Sequence, residues 1–115
     1  MLNHQSLGLS SYQITDLREG QEVSFSKKIT GQDVDNFSSL SGDNNPLHMD
    51  DAFAQSRGFL GRVVHGGLII SYLSKMIGVH LPGQNCLLER MTLNFLSPVY
   101  INDTIELSGV IEQIS

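Results

Sequence analysis

The sequence is poor in several residue types, and each scarcity closes off a class of function. A single cysteine, Cys86, excludes an intramolecular disulfide framework and any paired-cysteine zinc or redox motif. It has no adjacent basic residue to favour its thiolate, so it reads as a bystander rather than a nucleophile. Seven lysines and arginines stand against twelve carboxylates, a net charge of −5. That leaves too few cations for a face that neutralises a run of phosphates, so nucleic acid is not an expected partner. Long apolar runs are missing too. The longest, around Gly66–Gly78, carries Ser71, Ser74 and Lys75 and is too short to span a bilayer, so no membrane partner is expected. No basic region followed by an apolar export signal opens the chain, which makes the cytoplasm the expected compartment. A length of 115 residues is that of one domain, large enough to bury a core without metal or disulfide staples.

The charge is unevenly placed. Residues 1–56 carry three basic and eight acidic side chains, whereas residues 57–115 carry four of each. From Arg57 to Leu88 there are Arg57, Arg62 and Lys75 and no carboxylate. Two readings of this stretch stand side by side: a chance gap, or a surface suited to a small phosphorylated ligand.

The first twenty residues are weakly patterned and read as an arm, with the domain proper over 21–115. Glu22–Ile29 alternates, with Val23, Phe25 and Ile29 on one side, Ser24, Ser26 and Lys28 on the other, and Lys27 as the misfit. That is a half-buried strand. Thr30 with Asp33 three residues on predicts the start of a helix whose Val34, Phe37 and Leu40 share a face, and Gly42 stops it. Asp43-Asn44-Asn45-Pro46 is a dense turn signal. A short helical turn over about 50–55 follows, ending near Gly58. The run from Gly67 to Gly78 is apolar round most of its circumference, which predicts a buried helix. Leu88–Phe95 alternates Met91, Leu93 and Phe95 against Arg90, Thr92 and Asn94, and Thr104–Ile114 places Ile105 and Leu107 on one face. With Asn102-Asp103 as the turn, these two strands are expected to pair as an antiparallel hairpin. The order of elements argues for an α+β domain with one sheet curled around one long helix.

Two segments carry the chemistry. In Ser41-Gly42-Asp43-Asn44-Asn45-Pro46-Leu47-His48, a carboxylate and an imidazole flank a proline-stiffened turn. Their spacing lets Asp43 and His48 converge on one water or substrate proton, with the Asn45 amide to orient it. The plainer alternative is that Asp43 and Asn45 only make side-chain-to-backbone turn bonds. His65-Gly66-Gly67 opens the apolar helix, where free N–H groups and the positive helix end could stabilise a developing oxyanion. The plainer alternative there is a sharp loop-to-helix turn that needs two glycines, with His65 structural. Asp43, His48 and His65 are also metal-ligand types, but no short paired spacing joins them, and no metal is expected.

The octet, with Ala52 and Ala54 behind it, resembles the signature of the (R)-specific enoyl-CoA hydratases, the MaoC-like dehydratase branch of the hot-dog superfamily. Gly61-Arg62-Val63-Val64-His65-Gly66-Gly67, Leu81-Pro82-Gly83 and Phe95-Leu96-Ser97-Pro98-Val99 are similar to that family's segments at comparable separations. The resemblance covers about Glu22 to Ser115. It implies a hot-dog fold, an antiparallel sheet wrapped around the central helix, with a homodimer or higher homo-oligomer as the assembly. It implies reversible syn hydration of a trans-2-enoyl-CoA or enoyl-acyl-carrier-protein thioester to the (R)-3-hydroxyacyl thioester. Carried over by position, Asp43 and His48 are the catalytic pair. Asn45, His65, Gly66, Gly67 and Arg62 are the substrate-binding set, with a Gly66 or Gly67 N–H on the thioester oxygen. No cofactor is implied; coenzyme A or phosphopantetheine enters only as part of the substrate, its phosphates served by the carboxylate-free stretch. The family's domain continues beyond Ser115, so the sheet is expected to lack its last strands. Two other functions share this fold: a thioesterase that turns a water on the thioester carbonyl, and a non-catalytic acyl-thioester-binding subunit. The Asp43/Asn45/His48 arrangement favours hydration.

Overall fold

The computed structural model describes residues 8–115. Residues 1–7 of the expected arm lie outside the described residues. The elements are a single 3₁₀ turn at Ile14–Asp16, β1 (Glu22–Lys28), α1 (Gly31–Ser41), α2 (Pro46–Met49), α3 (Asp51–Ser56), α4 (Gly66–Lys75), a π-helical turn at Met76–His80 that continues it, and β2 (Thr104–Val110). The chain divides into two compact units that interleave along the sequence. Of the described residues, one unit holds 8–25 with Ser71–Thr92 and Glu106–Ser115; the other holds Ser26–Ile70 and Leu93–Ile105.

The unit built from Ser26–Ile70 and Leu93–Ile105 carries the motif segments. Its core is Ile29, Val34 and Ala54, all fully buried, with Val64 and Leu68 nearly so. Helix α1 starts as its local sequence dictates: the Asp33 N–H donates to Thr30 Oγ1 at 3.1 Å and the Thr30 N–H donates to Asp33 Oδ2 at 2.9 Å. This reciprocal cap satisfies two donors that the first turn leaves free. Gly42, at φ +81°, ends the helix in the left-handed region, its N–H donating to the Ser38 carbonyl at 2.8 Å. Leu40, expected on the inward face, is exposed, so the buried stripe of α1 is narrower than the periodicity implies. The misfit Lys27 does lie on the inner side of β1 and reaches the Asp33 carboxylate at 3.4 Å.

The Asn45-Pro46 turn is also the start of a helix. Asn45 caps α2 through its side-chain oxygen, which accepts the Leu47 N–H at 2.9 Å, and Pro46 fills the first position. Asp50 caps α3 in the same way, accepting the Phe53 N–H.

In the other unit, Met76, Leu81 and Leu107 are buried. The described part of the arm is stitched down rather than loose: Ser10 N–H donates to Val79 O, Gln84 N–H donates to Ser10 O, and Ser11 bridges Gly83. The helical segment runs past Gly78 to His80, because its last bonds lengthen to the π pattern, with Leu81 N–H donating to Met76 O at 2.8 Å. It is also less buried than an all-round apolar pattern implies. Leu68 and Met76 are buried, while Ile69, Ile70, Tyr72, Leu73 and Ile77 are only half so.

The sheet corrects the expected topology. β1 pairs with β2 in a two-stranded sheet, antiparallel by its bonds: Ile29 N–H donates to Asp103 O, and Ile111 N–H to Gln21 O. Residues 88–95 form no strand, and the hairpin with 104–114 is absent from the described residues. The Asn102 turn exists, at φ +75°, but it follows Tyr100, which bridges Val63. Alternation marks a face; it does not supply the hydrogen-bonding partner that makes a strand.

Candidate active site

Every residue of the predicted octet and of the His65-Gly66-Gly67 segment falls within the same unit. The Asx turn uses one Asp43 oxygen: Oδ1 accepts the Asn45 N–H at 3.2 Å. Oδ2 is left facing His48, 3.8 Å from Nε2. That separation is too long for a direct hydrogen bond, but one oxygen atom of a water or a substrate hydroxyl could touch both groups. Asp43 is half exposed and His48 largely buried, so the pair opens to solvent on the carboxylate side.

The tautomer of His48 follows from its other nitrogen. Nδ1 lies 2.7 Å from the Val63 carbonyl oxygen, which can only accept, so Nδ1 carries the proton. In its neutral form the ring therefore points its lone pair, at Nε2, toward Asp43. His65 is fixed in the opposite sense. Its Nε2 lies 3.0 Å from the Asp43 main-chain carbonyl and donates to it, and its buried Nδ1 has no hydrogen-bond partner. The two imidazoles stack with centroids 4.0 Å apart and planes 29° apart, and Phe37 closes the far side of His65 at 4.9 Å. His65 is 1% exposed. Its placement is that of a support beneath His48 and Asp43 rather than a group presented to a ligand.

Asp43, His48 and His65 bring one possible ligand atom each within 4.8 Å of the others. His65 Nε2 and His48 Nδ1 both donate to carbonyls, which leaves His48 Nε2 and His65 Nδ1 as the unprotonated ring atoms, on rings stacked with their planes 29° apart.

Gly66 and Gly67 open α4, and their N–H groups precede the first intrahelical donor, Leu68 N–H to His65 O at 3.1 Å. Both glycines are also required by packing. A Cβ on Gly66 would sit 3.1 Å from Phe95 Cζ, and one on Gly67 would sit 2.8 Å from Phe37 Cζ. Crowding by the rings of Phe95 and Phe37 is thus one physical reason for the glycine pair. Beside His48 and Gly66 lies a groove of about 410 Å³, its walls formed by Phe59, Val64, Ile69, Phe95 and Pro98. A larger groove of about 570 Å³ in the other unit, lined by Ile14, Leu17, Met76, Ile77 and Leu81, holds none of these residues.

Arg62 bonds two protein groups: Nε donates to the His48 carbonyl at 2.6 Å and a terminal nitrogen donates to Asp35 Oδ1 at 2.5 Å. Asn45 commits its side-chain oxygen to the α2 cap. The site depends on three groups that the sequence did not single out: the Val63 carbonyl, Asp35, and Phe95 over Gly66. A main-chain acceptor has no sequence signature, and Asp35 reads as one more exposed carboxylate on α1.

The α+β element order, with a helix opened by glycines, is consistent with the hot-dog arrangement that the sequence resemblance implies. Solved structures agree. The (R)-hydratase from A. caviae involved in PHA biosynthesis superposes with a TM-score of 0.82 at 34% identity, over 86% of this chain and 75% of that one. The MaoC-like domain matches residues 15–114, and the chain belongs to that family. Its sequence is 38% identical over 90 residues to the (R)-specific enoyl-CoA hydratase of Rhodospirillum rubrum, covering 78% of this chain and 62% of that protein. It is 35% identical over 101 residues to the mitochondrial 3-hydroxyacyl-[acyl-carrier-protein] dehydratase of Arabidopsis thaliana, covering 88% of this chain and 58% of that protein. The chain thus spans less than two thirds of the length of these two relatives. Among the described residues, no helix is long and apolar enough to cross a membrane.

Proposed function

We propose that this chain carries out (R)-specific hydration of trans-2-enoyl thioesters, and the reverse dehydration, as a hydro-lyase. The observation that carries the reading is the His48 lone pair, locked at Nε2 and facing Asp43 Oδ2 at 3.8 Å beside an apolar groove. A water held between the two acceptors adds its oxygen to C3. The C2–C3 π electrons move through the carbonyl to the thioester oxygen, where a Gly66 or Gly67 N–H stabilises the enolate. Asp43 and His48 between them take up one water proton and deliver one to C2 on the same face, so the pair ends as it began. The locked tautomer favours Nε2 as the first acceptor. The Asn45 NH₂ orients the water, and the groove takes the acyl chain. The substrate is a coenzyme A or acyl-carrier-protein thioester, met in the cytoplasm, and no cofactor takes part.

The assembly we read is a homodimer; the exposed Leu87, Leu88, Phe95 and Leu96 support it. Sedimentation at micromolar protein checks that part, and a monomer would overturn it. For the reaction, crotonyl-CoA is followed by its enoyl absorbance with a thiol reagent present. Loss of absorbance without thiol release, abolished in Asp43→Asn, is the expected result. Thiol release would make the chain a thioesterase instead.

A further inference from the structure

We infer that Arg62 is a positioning residue that clamps the turn carrying His48, with Asp35 of α1 as its anchor, rather than a ligand for the substrate's phosphates. The inference rests on the hydratase reading above. Three bonds tie residues 62–63 to the short helix α2: Arg62 Nε to His48 O at 2.6 Å, Val63 N–H to Leu47 O at 3.1 Å, and His48 Nδ1–H to Val63 O at 2.7 Å. Helix α2 spans only Pro46–Met49, too short to hold its own last carbonyls. An external donor on the His48 carbonyl therefore decides where that residue sits. Arg62 supplies it, while its other arm bonds Asp35 Oδ1 at 2.5 Å and its own main-chain N–H bonds Asp51 Oδ1 at 2.8 Å. One planar side chain so links α1 to the catalytic turn. The segment is seated closely: a Cβ on Gly61 would lie 2.9 Å from the same Asp51 oxygen. A guanidinium can make both bonds at once because its donors are held in a rigid fork; an ammonium on a flexible stem cannot reproduce that geometry.

The two roles for Arg62 separate on substrates. Arg62→Gln and Asp35→Asn are assayed against crotonyl-CoA and against crotonyl-pantetheine, which lacks the nucleotide phosphates. A clamp predicts a loss in kcat of about 10- to 100-fold for Arg62→Gln on both substrates, with KM little changed, because the base is displaced. Asp35→Asn loses less, and Arg62→Lys recovers part of the loss. A rise in KM on crotonyl-CoA alone, with kcat kept, would overturn the clamp in favour of phosphate binding. Imidazole nitrogen NMR of His48 provides a readout that needs no turnover. The Nδ1–H form is expected to dominate in the wild type and to lose ground in Arg62→Gln. An unchanged tautomer population with kcat retained in a folded Arg62→Gln would sink the proposal. If the wild type turns over neither substrate, the functional reading fails while the NMR result still decides the clamp.

Discussion

Among the described residues, two histidines are almost wholly buried, one in each unit, and each leaves a ring nitrogen without a hydrogen-bond partner: Nδ1 of His65 and Nε2 of His80. Their surroundings differ. His65 stacks on His48, touches Phe37 and donates to the main chain of Asp43. His80 packs edge-on against Phe25, and burial, with the charge of Lys75 second, pushes its imidazole below the ordinary histidine range. A buried, half-satisfied imidazole is thus not in itself a mark of function. What distinguishes the first is a second imidazole and a carboxylate held at a distance suited to sharing one oxygen atom.

Substitution can widen or collapse that contrast. The largest effect is expected at the pair itself. Asp43→Asn and His48→Ala should each lower kcat by roughly 10²- to 10⁴-fold in steady-state assays with the fold retained by circular dichroism. Wild-type turnover in either folded variant would remove the pair from the mechanism. Next comes the contrast of the two buried rings. His65→Phe keeps the stack but loses the bond to the Asp43 carbonyl, and kcat should fall by about 10- to 100-fold. His80→Phe should leave it unchanged. Equal losses in both would reduce His65 to a packing residue.

A smaller effect lies at the start of α1, the helix that holds Phe37 against His65. Thr30→Ala removes one half of the reciprocal cap and should cost about 1 kcal/mol in urea unfolding. The smallest is a matter of pH. The unfolded chain protonates His80 near the ordinary histidine value, whereas the folded chain resists the proton to lower pH. Its contribution to stability is therefore whole above that ordinary value and declines as pH falls below it, until the folded ring itself protonates. Urea midpoints for wild type and His80→Gln, compared across this window, should show the shallower slope in the variant. Parallel slopes would mean that His80 does not couple to folding.

The parts of this molecule that its sequence made legible are those whose physics is local. Thr30 and Asp33 cap a helix using atoms three residues apart, and Gly42 ends it by its own backbone freedom. Asp43 and His48 meet because one stiff turn joins them. What was not legible depends on distant partners. The alternation of residues 88–95 is real, but no strand pairs with it among the described residues. The bonds of Arg62 are not legible either, because its acceptors, the His48 carbonyl and the Asp35 carboxylate, leave no pattern along the chain. The glycine pair that opens α4 is legible only in part, since the rings of Phe37 and Phe95 that crowd it come from distant parts of the chain.

The acceptors that set both imidazole tautomers are main-chain oxygens, of Val63 and of Asp43. Side-chain mutation does not delete a peptide carbonyl. A descendant that exchanged the Asp43 carboxylate for a neutral group would lose the acid–base pair proposed above yet keep His65 anchored and His48 presented as before. In such a lineage the scaffold would outlive that pair, and the groove walls would pass intact to a protein suited to holding a ligand without acting on it.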